Sequence, residues 1–198
     1  MVKNVIGTSP QKSKNKQIVS ITYIETDLGL MIAAATDQGI CMFEFADYKL
    51  LDLELRQLAS SCKAPLVQAE NPYFEILKKQ LDEYFKGERK EFDIPLDLVG
   101  TEFQKEVWLS LLKIPYGTTT SYAKQAEFLG KPSAVRAVAN ANGKNKISII
   151  LPCHRVIGTD GTLTGYGGGI WRKKKLLAFE KENKTTNCDS SYGTRQLA

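Results

Sequence analysis

The chain's only histidine, His154, stands directly beside one of its four cysteines, Cys153, in the stretch IILPCHRVIGTDG. A free thiol is only a few per cent ionised near neutral pH, so a nucleophilic cysteine needs a base or a positive neighbour. His154 and Arg155 supply one of each in sequence. Adjacency also raises a difficulty, because successive side chains of an extended chain point to opposite faces. His154 therefore reaches Cys153 only if the chain turns or a water bridges the two. An imidazole acting as a base further needs an acceptor on its far nitrogen. In this half of the chain Glu180, in WRKKKLLAFEK, is favoured for that role ahead of Glu106 and Asp160. On PCH alone, a buried cysteine with an incidental histidine is an equal reading.

The elements around the pair narrow the choice. The β-branched run KISIILP reads as a buried strand that Pro152 ends, which would put Cys153 at a strand terminus facing a cleft. Upstream, in SYAKQAEFLGKPSAVRAVANANGKN, Ser121 caps a helix ending at Gly130 and Ser133 a second ending near Gly143. Two short helices across a tight turn make a helix-turn-helix candidate. The second is slim, with Ala134, Ala137, Ala139 and Ala141, and Arg136 is its only basic residue. A major-groove reader presents several long donors, whereas a slim helix presses into a narrow groove. Close helix packing would also account for Ala137 and Ala141, but not for Arg136. Before these, TEFQKEVWLSLLKIP carries a capping box in Thr101 and Gln104, with Phe103, Val107 and Leu111 along one face until Pro115.

Charge divides the chain. Residues 17–99 carry 8 basic and 15 acidic side chains, net −7, and residues 100–182 carry 13 basic and 6 acidic, net +7. The first part opens on three β-like runs, IVSITYIETD, LGLMIAAATD and GICMFEFA, whose turn signals predict an antiparallel meander. Two amphipathic helices follow, from about Leu50 to Ser61 and from Pro72 to Lys86, the latter stopped by Gly87. The acidic module is thus not the anion-binding half. The organisation expected is a basic tail over 1–16, an α/β domain over 17–99, a domain over 100–182 that binds and reacts, and a tail over 183–198, with both tails disordered.

At 198 residues the chain is long enough for a substantial core, and its apolar fraction of 42% and charged fraction of 25% are those of a globular protein. No apolar run approaches the roughly 20 residues of a membrane span, and the lysine-bearing N-terminus lacks a secretory pattern. Cys41, Cys62, Cys153 and Cys188 form no CxxC pair, and one histidine cannot complete a common zinc set. Free thiols in a reducing, intracellular compartment are expected. Cys41 in GICMFEF reads as a small buried hydrophobe, while Cys62 and Cys188 have no chemical context.

From about Glu102 to Glu180 the sequence resembles the O6-alkylguanine-DNA alkyltransferases, or methylated-DNA–protein-cysteine methyltransferases, through IPYGTTTSY, AVRAVANANG, PCHRV and GYGGG. The first half resembles them more loosely, in its order of strands and helices. The resemblance implies an α+β protein with a small RNase H-like N-terminal domain and a mostly helical, winged helix-turn-helix-like C-terminal domain. It implies one irreversible transfer of an alkyl group from guanine O6, or thymine O4, in flipped-out duplex DNA to a cysteine. Cys153 matches the acceptor, His154 the base acting through a water, Glu180 the carboxylate orienting it, and Asn145 the asparagine bracing the turn. Tyr122 matches the tyrosine that donates toward guanine N3, and Arg136 the arginine that fills the stack, with Ala137 beside it on the DNA face. The carbonyls of Cys153 and Val156 would hold the guanine amino group. Tyr166, Gly167 and Gly168 match the loop over the base, and Lys173 a lysine near it, with Arg155 added to the DNA-contacting set. Neither cofactor nor metal is implied. The expected partner is double-stranded DNA entered through its minor groove by a monomer, in the cytoplasm or, in a eukaryote, the nucleus.

Two departures stand out. Lys146 follows Asn145 where family members commonly have proline, which loosens the turn, and Gly167 offers only a backbone N–H where some relatives have a serine. Both are expected to tune rate or substrate range. Two other function classes compete: a lesion-binding module without transfer, against which Cys153 argues, and a Cys-His hydrolase, which would need an oxyanion hole that the sequence does not display.

Overall fold

The structure, a computed structural model, describes residues 17–185. The readings of 1–16 and 186–198, Cys188 included, lie outside the described residues.

The N-terminal part is a four-stranded sheet flanked by helices. Strands β1 (Val19–Ile24), β2 (Met31–Ala35) and β3 (Ile40–Phe45) form the expected antiparallel meander, with Ser20 opposite Ala35 and Ile24 opposite Met31. Helix α1 (Leu51–Cys62) then leads into a short β4 (Leu66–Gln68) that pairs parallel to β1, so the sheet order is β3-β2-β1-β4. This fourth strand was not foreseen, because three residues after a proline carry no alternation. Helix α2 (Pro72–Phe85) starts at Asn71, whose side chain accepts from Tyr73 N, and stops before Gly87, at φ 77°. Successive β2 residues serve opposite faces: Met31, Ala33 and Ala35 join the core with Phe74 and Leu77 of α2, and Ile32 and Ala34 meet Leu58 of α1.

The C-terminal part begins with α3 (Glu102–Leu111), which carries the predicted capping box. Next come β5 (Thr120–Ser121), α4 (Tyr122–Phe128) and α5 (Val135–Gly143), and α4 and α5 make the helix-turn-helix. Ser121 caps α4 as expected, and Gly130, at φ 68°, turns the chain after it. Ser133 does not cap α5: Pro132–Ala134 form a 3₁₀ turn that runs straight into the helix, so the first α5 amides have no side-chain acceptor. Val107, Ala126, Val138 and Ala141 pack the three helices together. Strand β6 (Val156–Ile157) pairs parallel with β5, and α6 (Ile170–Thr185) closes the described chain. Residues 183–185, read as tail, continue α6, where Asn183 donates to the Phe179 carbonyl at 2.9 Å.

Edge strand β3 joins the two parts. Phe43 N donates to Lys146 O and Ser148 N to Phe43 O, both at 2.8 Å, while at its start Ile40 N donates to Pro95 O (2.9 Å) in the segment that leads out of the N-terminal part. The run KISIILP is therefore not a strand. Only Ile147 bridges to β3, after which the chain turns with Ile149 at φ 72°, rare for a β-branched residue. The β-branched signal reported burial instead, since Ile147, Ile149, Ile150 and Leu151 are all in the core. Among the described residues, no helix is long and apolar enough to cross a membrane.

Candidate active site

Two tight turns, not a strand end, present Cys153. Ile150 N donates to Ser148 O (2.9 Å) around Ile149, and Cys153 N donates to Leu151 O (2.7 Å) around Pro152. With φ −79° and ψ 61°, Pro152 sits at the inverse γ-turn minimum that its ring pre-sets. Asn145 braces the segment from inside: Nδ2 donates to Leu151 O (2.9 Å) and to Cys153 Sγ (3.2 Å), while Oδ1 accepts from Ile147 N (3.0 Å). Lys146 contributes its carbonyl to β3, which keeps the turn in place without proline at that position.

Cys153, His154 and Arg155 form one 3₁₀ turn, which answers the geometric objection by sending neighbouring side chains in different directions. The Cys153 thiol lines a pocket of about 520 Å³, whereas His154 is wholly buried, its Nε2 bonded to Glu180 Oε1 at 2.8 Å. His154 Nδ1 is buried without a hydrogen-bond partner. Of the three acids considered, Glu180 is thus the one that meets the imidazole. Its two oxygens also accept from Tyr84 Oη (2.8 Å), Gly117 N (3.0 Å), and Arg155 Nε and Nη2 (both 2.9 Å).

Burial alone would push the Glu180 carboxyl up, but the hydrogen bonds from His154 and Arg155 and the charge of the Arg155 guanidinium outweigh it and bring it to about 2. Burial holds His154 below the ordinary histidine value, with Glu180 acting against it, so the ring rests neutral: Nε2–H donates to the carboxylate and Nδ1 keeps an unshared lone pair. Burial pushes the Cys153 thiol up to about 11; Asn145 and Lys173 work to lower it and Glu44 to raise it. The resting sulfur is a protonated thiol that must lose its proton as it reacts.

The remaining predicted residues fall into three groups. Tyr122, the first residue of α4, is carried to the pocket wall by the β5–β6 pairing, and Tyr166 and Gly167 line the same space. Gly168 has no room for a side chain, since a Cβ there would run into the Phe45 ring, while at Gly167 a Cβ would stand in ordinary contact, 3.5 Å from Glu44 Oε2. Arg136 and Ala137 lie exposed on α5, so packing does not account for Ala137, whereas Ala141 is buried. Two expectations are corrected. Arg155 does not face DNA: it is buried, its guanidinium bound to Glu180 and to Ile114 O (2.7 Å), because an ionised buried carboxylate requires a cation. Lys173 is also fully buried, its ammonium donating to Val156 O (2.7 Å) and Thr164 O (2.9 Å), so it ties β6 to the base loop instead of reaching a nucleic acid.

Sequence reasoning missed Tyr84, Glu44, Tyr48 and Ser148. For Glu44 the signal was present, a lone carboxylate inside the apolar run GICMFEF, whereas a contact between α2 and α6 leaves no local trace. A larger cleft of about 620 Å³ beside β4 and the start of α2 holds Gln68, Asn71 and Phe74 but neither a cysteine nor a histidine.

Residues 102–182 match the family model for the 6-O-methylguanine DNA methyltransferase DNA-binding domain, and residues 19–98 the model for its ribonuclease-like domain. The methylated-DNA–protein-cysteine methyltransferase of Mycobacterium tuberculosis is 62% identical over 102 residues, which span 52% of this chain and 62% of that protein's length. Its counterpart in Methanosarcina barkeri is 41% identical over 161 residues, 81% of this chain and 96% of its own. Among solved structures, M. tuberculosis OGT in complex with DNA superimposes with a TM-score of 0.71 at 42% identity, covering 83% of this chain and 94% of that one.

Proposed function

The chain belongs to the 6-O-methylguanine DNA methyltransferase family, and on that footing we propose that it repairs DNA by moving an alkyl group from guanine O6 to Cys153 in a single irreversible step. The observation that carries this reading is the arrangement at the sulfur: a pocket-lining thiol with the Asn145 amide on it, in the same turn as a buried imidazole held by Glu180.

The chemistry follows from the groups present. As the thiol loses its proton toward His154 Nδ1, through a bridging water, Sγ attacks the alkyl carbon, the S–C bond forms and the C–O6 bond breaks. The electron pair goes to the guanine, the Tyr122 hydroxyl transfers its proton to the ring so that guanine leaves neutral, and the proton taken up by His154 is returned through solvent to Tyr122, so the net movement is one proton from the thiol to guanine. The Glu180 carboxylate offsets the positive charge that His154 acquires, while Arg155, a like charge, holds that carboxylate ionised. The Asn145 amide stabilises the sulfur as it ionises. The thioether product has no water-labile bond, so each chain acts once.

A base inside a duplex is out of reach of a pocket thiol and has to be flipped, which costs a few kcal/mol. Helix α5 supports a minor-groove approach, since Arg136 and Ala137 are exposed on it and its small side chains allow close contact. Arg136 would enter the stack that the base leaves, its charge offset by phosphates. The carbonyls of Cys153 and Val156 would receive the guanine amino group, the latter while also accepting from Lys173. We propose that the protein does this as a monomer.

The test is incubation with duplex DNA carrying a labelled methyl at guanine O6. Label approaching one per chain, abolished in Cys153→Ala, is the expected result. DNA binding without label would leave only a lesion-binding module, and continuing turnover would indicate a hydrolase.

A further inference from the structure

Glu44 is the only carboxylate among the residues lining the Cys153 pocket, and it comes from β3 of the N-terminal part. It is 2% exposed to solvent, yet its side chain is not paired with a cation: Oε1 accepts from Phe45 N (2.8 Å) and Oε2 from Ser148 Oγ (3.0 Å). A carboxylate has about four lone-pair sites, so these two bonds leave acceptor capacity on a group that lines the pocket. Gly167 faces Oε2 without a side chain between them: a Cβ there would stand 3.5 Å from it. The missing side chain in the base loop and the acid in the sheet therefore belong to one feature.

On the proposed reaction, the alkyl carbon must meet Sγ, so the rest of the alkyl group lies against the wall beside the thiol, where Glu44, Ser148 and Gly167 stand. We propose that Glu44 is a specificity-determining residue, which admits uncharged alkyl groups to Cys153 and rejects those ending in a negative charge. This inference rests on the alkyl-transfer reading and adds a selectivity to it.

Burial pushes the Glu44 carboxyl up to about 7, with its bonds to Phe45 and Ser148 acting against it. The groups facing it are Glu54 of α1, which raises it further, Arg172 of α6, which lowers it, and Tyr48, Tyr166 and Cys153, whose own ionisation it disfavours. The discrimination accordingly grows as pH rises through neutrality and the carboxyl ionises.

The experiment compares duplexes bearing O6-carboxymethylguanine with the uncharged isostere O6-carbamoylmethylguanine, at pH 6 and pH 8, with O6-methylguanine as reference. His154 and Cys153 titrate identically for both adducts, so the ratio of their rates isolates the pocket charge. In the unaltered protein the preference for the uncharged adduct is expected to grow by about tenfold between the two pH values, as a unit charge added close by in a low-dielectric site would give. In Glu44→Gln that growth disappears. Ser148→Ala, a second variant that leaves Glu44 in place, removes a bond that favours the ionised form and moves the onset to higher pH. Methyl transfer with a pH-independent ratio in the unaltered protein, or the same growth in Glu44→Gln, overturns the role of Glu44 alone. Absence of methyl transfer overturns the reaction itself, and this selectivity with it.

Discussion

The Tyr84 hydroxyl donates at 2.8 Å to Glu180 Oε1, the same oxygen that His154 Nε2 meets at 2.8 Å. Tyr84 belongs to α2 and is wholly buried, so the N-terminal part supplies a direct support to the carboxylate that orients the imidazole. Tyr84→Phe keeps the ring packing and removes only this bond. It is expected to lower stability by about 1.5–3 kcal/mol in urea unfolding, as for a hydrogen bond to a charged group. Transfer should slow by about tenfold or less, since four other donors still hold the carboxylate.

Arg155 gives a sharper contrast between two roles. As the partner of a buried carboxylate, its replacement in Arg155→Met leaves Glu180 uncompensated and should cost about 3–5 kcal/mol of stability. A phosphate contact would instead leave stability unchanged and reduce by about one the slope of DNA affinity against salt. The first pattern is predicted, from unfolding measured beside binding at several salt concentrations.

Arg136 should behave in the opposite way. It is exposed on α5, so Arg136→Ala is predicted to leave stability within about 0.5 kcal/mol. Repair in duplex DNA should fall on the order of tenfold or more, while reaction with a free O6-alkylguanine base, which needs no flipping, stays nearly constant. Equal losses on both substrates would contradict a finger role.

Two buried carboxyls give opposite pH signatures. Glu180 is held at about 2 when folded, below its ordinary 4.5, so its contribution is complete above about 4.5 and is lost as pH falls through 2. Glu44 is raised from 4.5 to about 7, so between those values the folded chain keeps a proton that the unfolded chain has released, and stability falls as pH rises across that window. His154, held below its ordinary value, acts in the reverse sense on the acid side, so the comparison with Glu44→Gln is what isolates the term. Urea midpoints at pH 5 and pH 7.5 should show the variant gaining stability relative to the unaltered protein at the higher pH. A constant difference would contradict the assigned titration.

Much of this was legible in the sequence where local chemistry governs. The capping box at Thr101 and Gln104, the Ser121 cap and the stops at Gly87 and Gly130 are short-range hydrogen-bond and backbone effects, and each sits where expected. The Cys153, His154 and Glu180 relation was readable because a lone imidazole needs an orienting acid and few were available. KISIILP misled because β-branched residues signal burial as much as strand, and here a braced turn holds them in the core. The DNA-side placing of Arg155 and Lys173 came with the resemblance, while the acceptors that claim them, Glu180, Ile114, Val156 and Thr164, converge only in the fold. Glu44 and Tyr84 were missed because their partners lie across the boundary between the two parts.

The central claim is that Cys153 itself takes the alkyl group. After reaction with duplex DNA labelled in the O6-methyl group of guanine, digestion of the protein and peptide mass spectrometry should place the whole label, as S-methylcysteine, on the peptide containing Cys153, with guanine restored in the DNA. Label on Cys41 or Cys62, or label released to solution as methanol, would contradict the account.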